Sequence, residues 1–92
     1  MTEDKRAFKK ALLVNCTPGA WTLAFVTGTV KDEKTGEDLL KIFVPTVPNP
    51  ATGFIFFVKP SQTMDPGWSV EEALKMIVSA GIIAPPQMKK QG

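Results

Sequence analysis

An α+β domain is what the sequence predicts: four or five mostly antiparallel strands in a meander, with one helix packed on a face of the sheet. Three observations carry this. Apolar, strand-like runs separated by turn chemistry fill the chain as far as residue 58, one helical period follows behind a capping signature at Ser69, and 92 residues suffice for one core. A sheet curled into a partial barrel is the nearest alternative. The chain divides into a lead-in over 1–7 and a tail over 86–92, both expected to be disordered, around a single domain over 8–85.

The first strand is FKKALLVNC (8–16), after which Thr17, Pro18 and Gly19 supply a turn into AWTLAFVTGTV (20–30). In that second run Trp21, Leu23 and Phe25 share one face and Thr22, Ala24 and Val26 the other, and the large face is the expected core. Gly28 suggests a bulge. The charged stretch KDEKTGED (31–38) reads as a solvated hairpin tip and lacks the alternating ligand spacing of a calcium loop. A third strand spans 39–44. Beyond it, the loop 45–53 carries Pro45, Pro48 and Pro50, which fix their own φ and hold Val44, Val47 and Asn49 extended. The loop is therefore stiff by composition.

FIFFV (54–58) follows without alternation, as in a strand buried on both faces or one keeping a face for a partner. KPSQTMDPGW (59–68) is then a loop leading into the helix 69–80. Ser69 and Glu72 form a capping box, Glu71 and Glu72 suit the positive end of the dipole, and Val70, Ala73, Leu74, Ile77 and Val78 make one apolar stripe. Gly81 is the expected left-handed stop, with Ile82 and Ile83 a short edge strand before Pro85 and Pro86.

The composition excludes more chemistry than it suggests. With no His and a lone Cys16, the chain holds no base–nucleophile pair, and Cys16 is expected as a small core residue. Glu71 and Glu72 point about 100° apart on a helix and cannot converge on one bond. No catalytic residue, metal ligand or cofactor is expected, and the chain is read as not an enzyme. A net charge of +2 gives no reason to expect nucleic acid. The basic residues Lys5, Arg6, Lys9 and Lys10 form a solvated terminus or a contact with anionic lipid.

The motifs AFKKALLVN (7–15), WTLAFVTG (21–28), FVPTVPNPATGFIFFV (43–58) and SVEEALKMIVSAGI (69–82) resemble, in order, those of the domain-of-unknown-function family five hundred and two, the continuous-vascular-ring-like (COV-like) membrane proteins. Val47 and Ala51 stand where that family usually has hydroxyl residues, Ala24 where it has Gly, and Asn15 and Cys16 where it has a Glu and an aromatic. The resemblance implies two transmembrane helices in a longer parent, with this part a soluble C-terminal domain on the cytoplasmic face.

Two functions follow as expectations. The first is a non-enzymatic interaction or assembly domain, self-associating or docking a protein partner through Phe54, Phe56, Phe57 and Trp68, whose alternative role is core. The second is binding of a small ligand or lipid headgroup by the rigid loop, through Pro45, Thr46, Pro48, Asn49, Pro50, Thr52 and Gly53.

Overall fold

The computed structural model describes residues 8–89, so the basic pair Lys5 and Arg6 and the whole lead-in lie outside the described residues. Strands β1 (Lys10–Thr17), β2 (Ala20–Asp32), β3 (Glu37–Pro45), β4 (Gly53–Val58) and β5 (Thr63–Met64) precede one helix, α1 (Val70–Val78). The strands form one antiparallel sheet in the order β4-β3-β2-β1-β5. It is open rather than closed into a barrel, with the helix packed on it, so the architecture is α+β.

Turn chemistry sets the meander. Gly19 takes a φ of 83° between β1 and β2, and Gly36 a φ of 79° at the charged tip, where the Asp32 carboxylate accepts from Lys34 N–H at 2.9 Å. The ladder between β2 and β3 slips between Val26 and Gly28, which is the bulge that Gly28 foretold. A second slip, between Asn15 and Thr17, puts Cys16 outside the ladder and exposes it. That corrects the core role expected of Cys16. A bulged residue at a hairpin end has no neighbour strand to cover it.

The edge strand expected at Ile82 and Ile83 is absent, and β5 takes its place from the segment read as loop. Thr63 and Met64 pair with Val14 and Leu13. The helix ends through Ala80 (φ 55°) and Gly81 (φ 87°), with Gly81 N–H donating to the Met76 carbonyl at 2.8 Å. Ser79 Oγ then accepts Ile83 N–H at 2.9 Å, so the backbone of 82–83 closes on the helix end instead of a strand. The segment after Pro86 is attached as far as it is described: Trp68 Nε1 donates to the Gln87 carbonyl at 3.1 Å and Lys89 N–H to the Pro66 carbonyl at 2.9 Å.

Both sheet faces are apolar at the centre. On one, α1 buries Ala73 and Ile77 against Ala11 and Phe25, with Leu23, Phe43, Val70 and Leu74 packed around them. Phe8 extends this layer sideways, stacking on Phe25 at 4.5 Å and Phe43 at 5.7 Å between ring centroids. On the other, Leu12, Val14, Ala24, Val26 and Ile42 are buried with Leu40, Val44 and Val58 packed against them. The small face of β2 is thus as buried as the large one. Trp21, at the hairpin end, is 42% exposed, and Val78, the last residue of the stripe, is 56% exposed. Both lie past the rim of the layer they were expected to fill.

Two carboxylates tie the helix region down. Ser69 Oγ accepts Glu72 N–H at 3.0 Å while the Glu72 carboxylate accepts Ser69 N–H at 2.9 Å. Asp65 bonds Lys10 Nζ at 2.6 Å and accepts Gly67 N–H at 2.8 Å, joining the segment before α1 to β1. The Lys10 bond chiefly, then the Gly67 N–H, lowers the Asp65 pKa below its usual 3.8, and the Ser69 N–H lowers that of Glu72 below its usual 4.5. Groups depressed on folding stabilise the fold fully above their unfolded values and lose that contribution as pH falls through the lower folded ones. The urea midpoint is expected to decline from about pH 5 downwards, and Asp65→Asn to start lower and decline less. Parallel pH profiles for the two proteins would contradict this.

Candidate functional site

The β3–β4 hairpin brings the two candidate regions together. Its loop begins at Pro45, buried and paired with Gly53 at the last rung, and the Val47–Pro48 peptide is cis. Thr46 N–H donates to the Thr52 carbonyl at 2.8 Å, so the ladder continues one rung into the loop. Inside, the Thr46 hydroxyl reaches the carbonyls of Asn49 (2.8 Å) and Thr52 (3.1 Å) and lies 2.6 Å from Thr52 Oγ1. Since its proton is directed at the carbonyls, Thr52 donates to it. Asn49 Oδ1 accepts Ala51 N–H at 3.0 Å, an Asx turn.

Three of the expected ligand-binding side chains, Thr46, Asn49 and Thr52, therefore bond within the loop itself. What the loop turns outward is apolar. Val47 and Pro45 line an open groove of about 340 Å³ with Trp21, Trp68, Met76 and Ala80, and Pro50 with Ala51 lines another of about 430 Å³ beside Phe8, Phe43, Lys41 and Ile55. Pro48 is exposed.

Gly53 closes the hairpin for a steric reason. A Cβ there would collide with the Val44 carbonyl oxygen and approach Pro45 Cα and Phe43 Cε1 to 2.8 and 2.9 Å. No side chain fits between the two backbones. Beyond it, β4 is the outer strand of the sheet, and its side chains stand in solvent on both faces: Phe54 60%, Ile55 64%, Phe56 46% and Phe57 53% exposed. Phe54 and Phe56 stack on one face with ring centroids 6.3 Å apart, near Val44 and Ile42, their ladder partners. Ile55 and Phe57 stand on the other, opposite Phe43 and Lys41.

Trp68 is separate from this strand. It is half-buried, with its indole N–H on Gln87, so the structure places it with the chain after the helix and not beside Phe54, Phe56 and Phe57. Lys9 and Lys10 are exposed, Lys10 as the partner of Asp65. Sequence reasoning missed Ile55, the most exposed of the β4 side chains, because an unbroken apolar run gives no sign of which residues face outward. Among the described residues, no three His, Cys, Asp or Glu side chains gather where a metal ion could be held.

The fold and its edge define a small α+β domain with an open five-stranded sheet, one side of which ends in an apolar strand. The chain belongs to the family described as protein of unknown function (DUF502), whose sequence profile matches residues 1–52, from the lead-in through β3 into the proline loop. The family is membrane-associated, and no helix among the described residues is long and apolar enough to cross a membrane. No curated protein and no solved structure gives a significant match to the chain.

The close approach at Gly53 predicts that Gly53→Ala costs about 1–3 kcal/mol, because backbone must move to admit the methyl group. Gly28→Ala is the control, since its Cβ meets only the flexible Lys41 side chain, at 3.4 Å. Chemical denaturation should separate the two variants clearly, and equal midpoints would refute the steric account.

Proposed function

We propose that this is a non-enzymatic assembly domain whose apolar outer strand, β4, joins copies of the chain. One observation carries the reading: four successive large apolar side chains are exposed on a strand whose outer backbone edge has no partner strand among the described residues. Soluble folds blunt such edges with Lys, Pro, bulges or short strands. Here β4 has none of these between Gly53 and Val58, whereas the opposite edge ends in the two-residue β5. The contrast within a single sheet supports a use for β4.

The setting is the membrane-associated family. In this reading the domain sits on the cytoplasmic side of a longer membrane protein, with Lys9 and Lys10, and Lys5 and Arg6 before them, near anionic lipid, where each basic residue is worth about 1 kcal/mol. Ligand binding at 45–53 has less support, because the Thr46 and Thr52 hydroxyls are engaged with each other, Thr46 also with the Asn49 carbonyl, and the Asn49 side-chain oxygen with Ala51 N–H. The loop serves instead to hold β4 in register.

Sedimentation across a concentration series tests this. The weight-average mass should rise above the 10.0 kDa of one chain, and Phe56→Lys should weaken association at least about tenfold, equivalent to about 1.4 kcal/mol, without changing the denaturation midpoint at dilutions where the chain is monomeric. A single 10.0 kDa species at all concentrations would refute the reading.

A further inference from the structure

Resting on that assembly reading, we propose that two copies pair β4 with β4, antiparallel about a two-fold axis through Ile55, to make one continuous ten-stranded sheet. The free backbone groups of β4 dictate this register. Opposite residues in an antiparallel ladder alternate between pairs that exchange hydrogen bonds and pairs that do not. Because Thr46 N–H bonds the Thr52 carbonyl, the next exchanging pairs are Val44 with Phe54, Ile42 with Phe56 and Leu40 with Val58. Pro45, which has no N–H to give, falls at a non-exchanging rung, as it must. Phe54, Phe56 and Val58 therefore spend their N–H and C=O groups on β3. Gly53, Ile55 and Phe57 turn theirs outward.

The outward row stops symmetrically. The next outward donor before Gly53 is Ala51 N–H, already bonded to Asn49 Oδ1, and the next after Phe57 is Lys59 N–H, already bonded to Gln62 Oε1 at 3.0 Å. Among the described residues, three donors and three acceptors of β4 are left, centred on Ile55. A second copy of the same strand satisfies all of them in one register: Ile55 opposite Ile55, and Gly53 opposite Phe57 at both ends. Pro50 then faces Pro60, so the prolines close both ends of the pairing. Shifting the two-fold to Phe54 or Phe56 would set an outward residue against Ala51 or Lys59, whose N–H groups are taken.

The side chains agree with the backbone. On the helix face, each Phe57 ring comes opposite Gly53 of the other copy, a residue with no side chain of its own to set against the ring. On the other face, Phe54 and Phe56 of one copy oppose Phe56 and Phe54 of the next, at the closer, non-exchanging rungs, and the existing stack becomes four rings. No charged side chain of β4 is buried, for it has none. Such an interface is self-complementary, as a two-fold requires.

Disulfide trapping tests the register. In a Cys16→Ser background, Ile55→Cys places its two thiols on an exchanging rung, with Cα atoms about 5.5 Å apart, within disulfide range. Copper-phenanthroline oxidation should convert most of it to a dimer of twice 10.0 kDa on a non-reducing gel. Phe57→Cys should stay uncrosslinked, because two copies of residue 57 lie four residues out of register, about 14 Å along the strand. A mixture of Phe54→Cys and Phe56→Cys chains, carrying different tags, should yield the heterodimer. All four positions on β4 are exposed, so the variants fold. Self-association with trapping at Phe57→Cys but not Ile55→Cys would overturn this register and leave the assembly reading standing. A chain that is monomeric at every concentration, or that floats with anionic phospholipid vesicles without pairing, would overturn both.

Discussion

The structure depends on the register of the β3–β4 hairpin. One residue of slip would exchange the faces of β4 and the direction of every backbone group on it. Three features hold that register: the absence of a side chain at Gly53, the Thr46–Thr52 hydroxyl contact, and the hydrogen bond that extends the ladder past Pro45. With them fixed, Phe54 and Phe56 must stack on the face without the helix, and Ile55 and Phe57 must stand beside Phe43 and Lys41. The loop thus acts at a distance from its own atoms, by deciding what the next strand offers.

Coverage explains why β4 is left exposed. A helix of nine residues is about 13.5 Å long and about 10 Å wide, whereas five strands span about 19 Å between the outermost axes. α1 covers Ala11 and Phe25, Phe8 covers Phe25 and Phe43, and among the described residues Ile55 and Phe57 are left beyond both. On the opposite face the central residues are buried by neighbouring strands, and Phe54 and Phe56 form the rim. Among the described residues, nothing covers the apolar side chains of this edge strand on either face. Pairing with another copy, as proposed, would cover both.

Much of this was legible in the chain. The helix, its capping box and the bulge at Gly28 follow from local chemistry, because each depends on residues close in sequence: Ser69 with Glu72, or a glycine among β-branched neighbours. The turn character of 45–53 was legible too, but the use of its polar groups was not. Thr46 meets Thr52 only once the strands have paired, and the composition reads equally as a binding loop. β5 escaped because two residues, Thr63 and Met64, give no periodicity, and Ile82 and Ile83 attracted the assignment by composition alone. Trp21 and Val78 were placed in the core by faces that are correct in phase but run past the layer they face. The exposure of β4 needed the whole fold, since an apolar run does not say how far one helix reaches.

The most direct test of this account is amide hydrogen exchange along β4 at two protein concentrations. In dilute solution the amides of Phe54, Phe56 and Val58 should be protected and those of Gly53, Ile55 and Phe57 should exchange freely, an alternation set by the hairpin register alone. In concentrated solution the second set should become protected as well. The opposite alternation would mean that the hairpin turns the other three groups outward, and no dependence on concentration would mean that no second copy takes them.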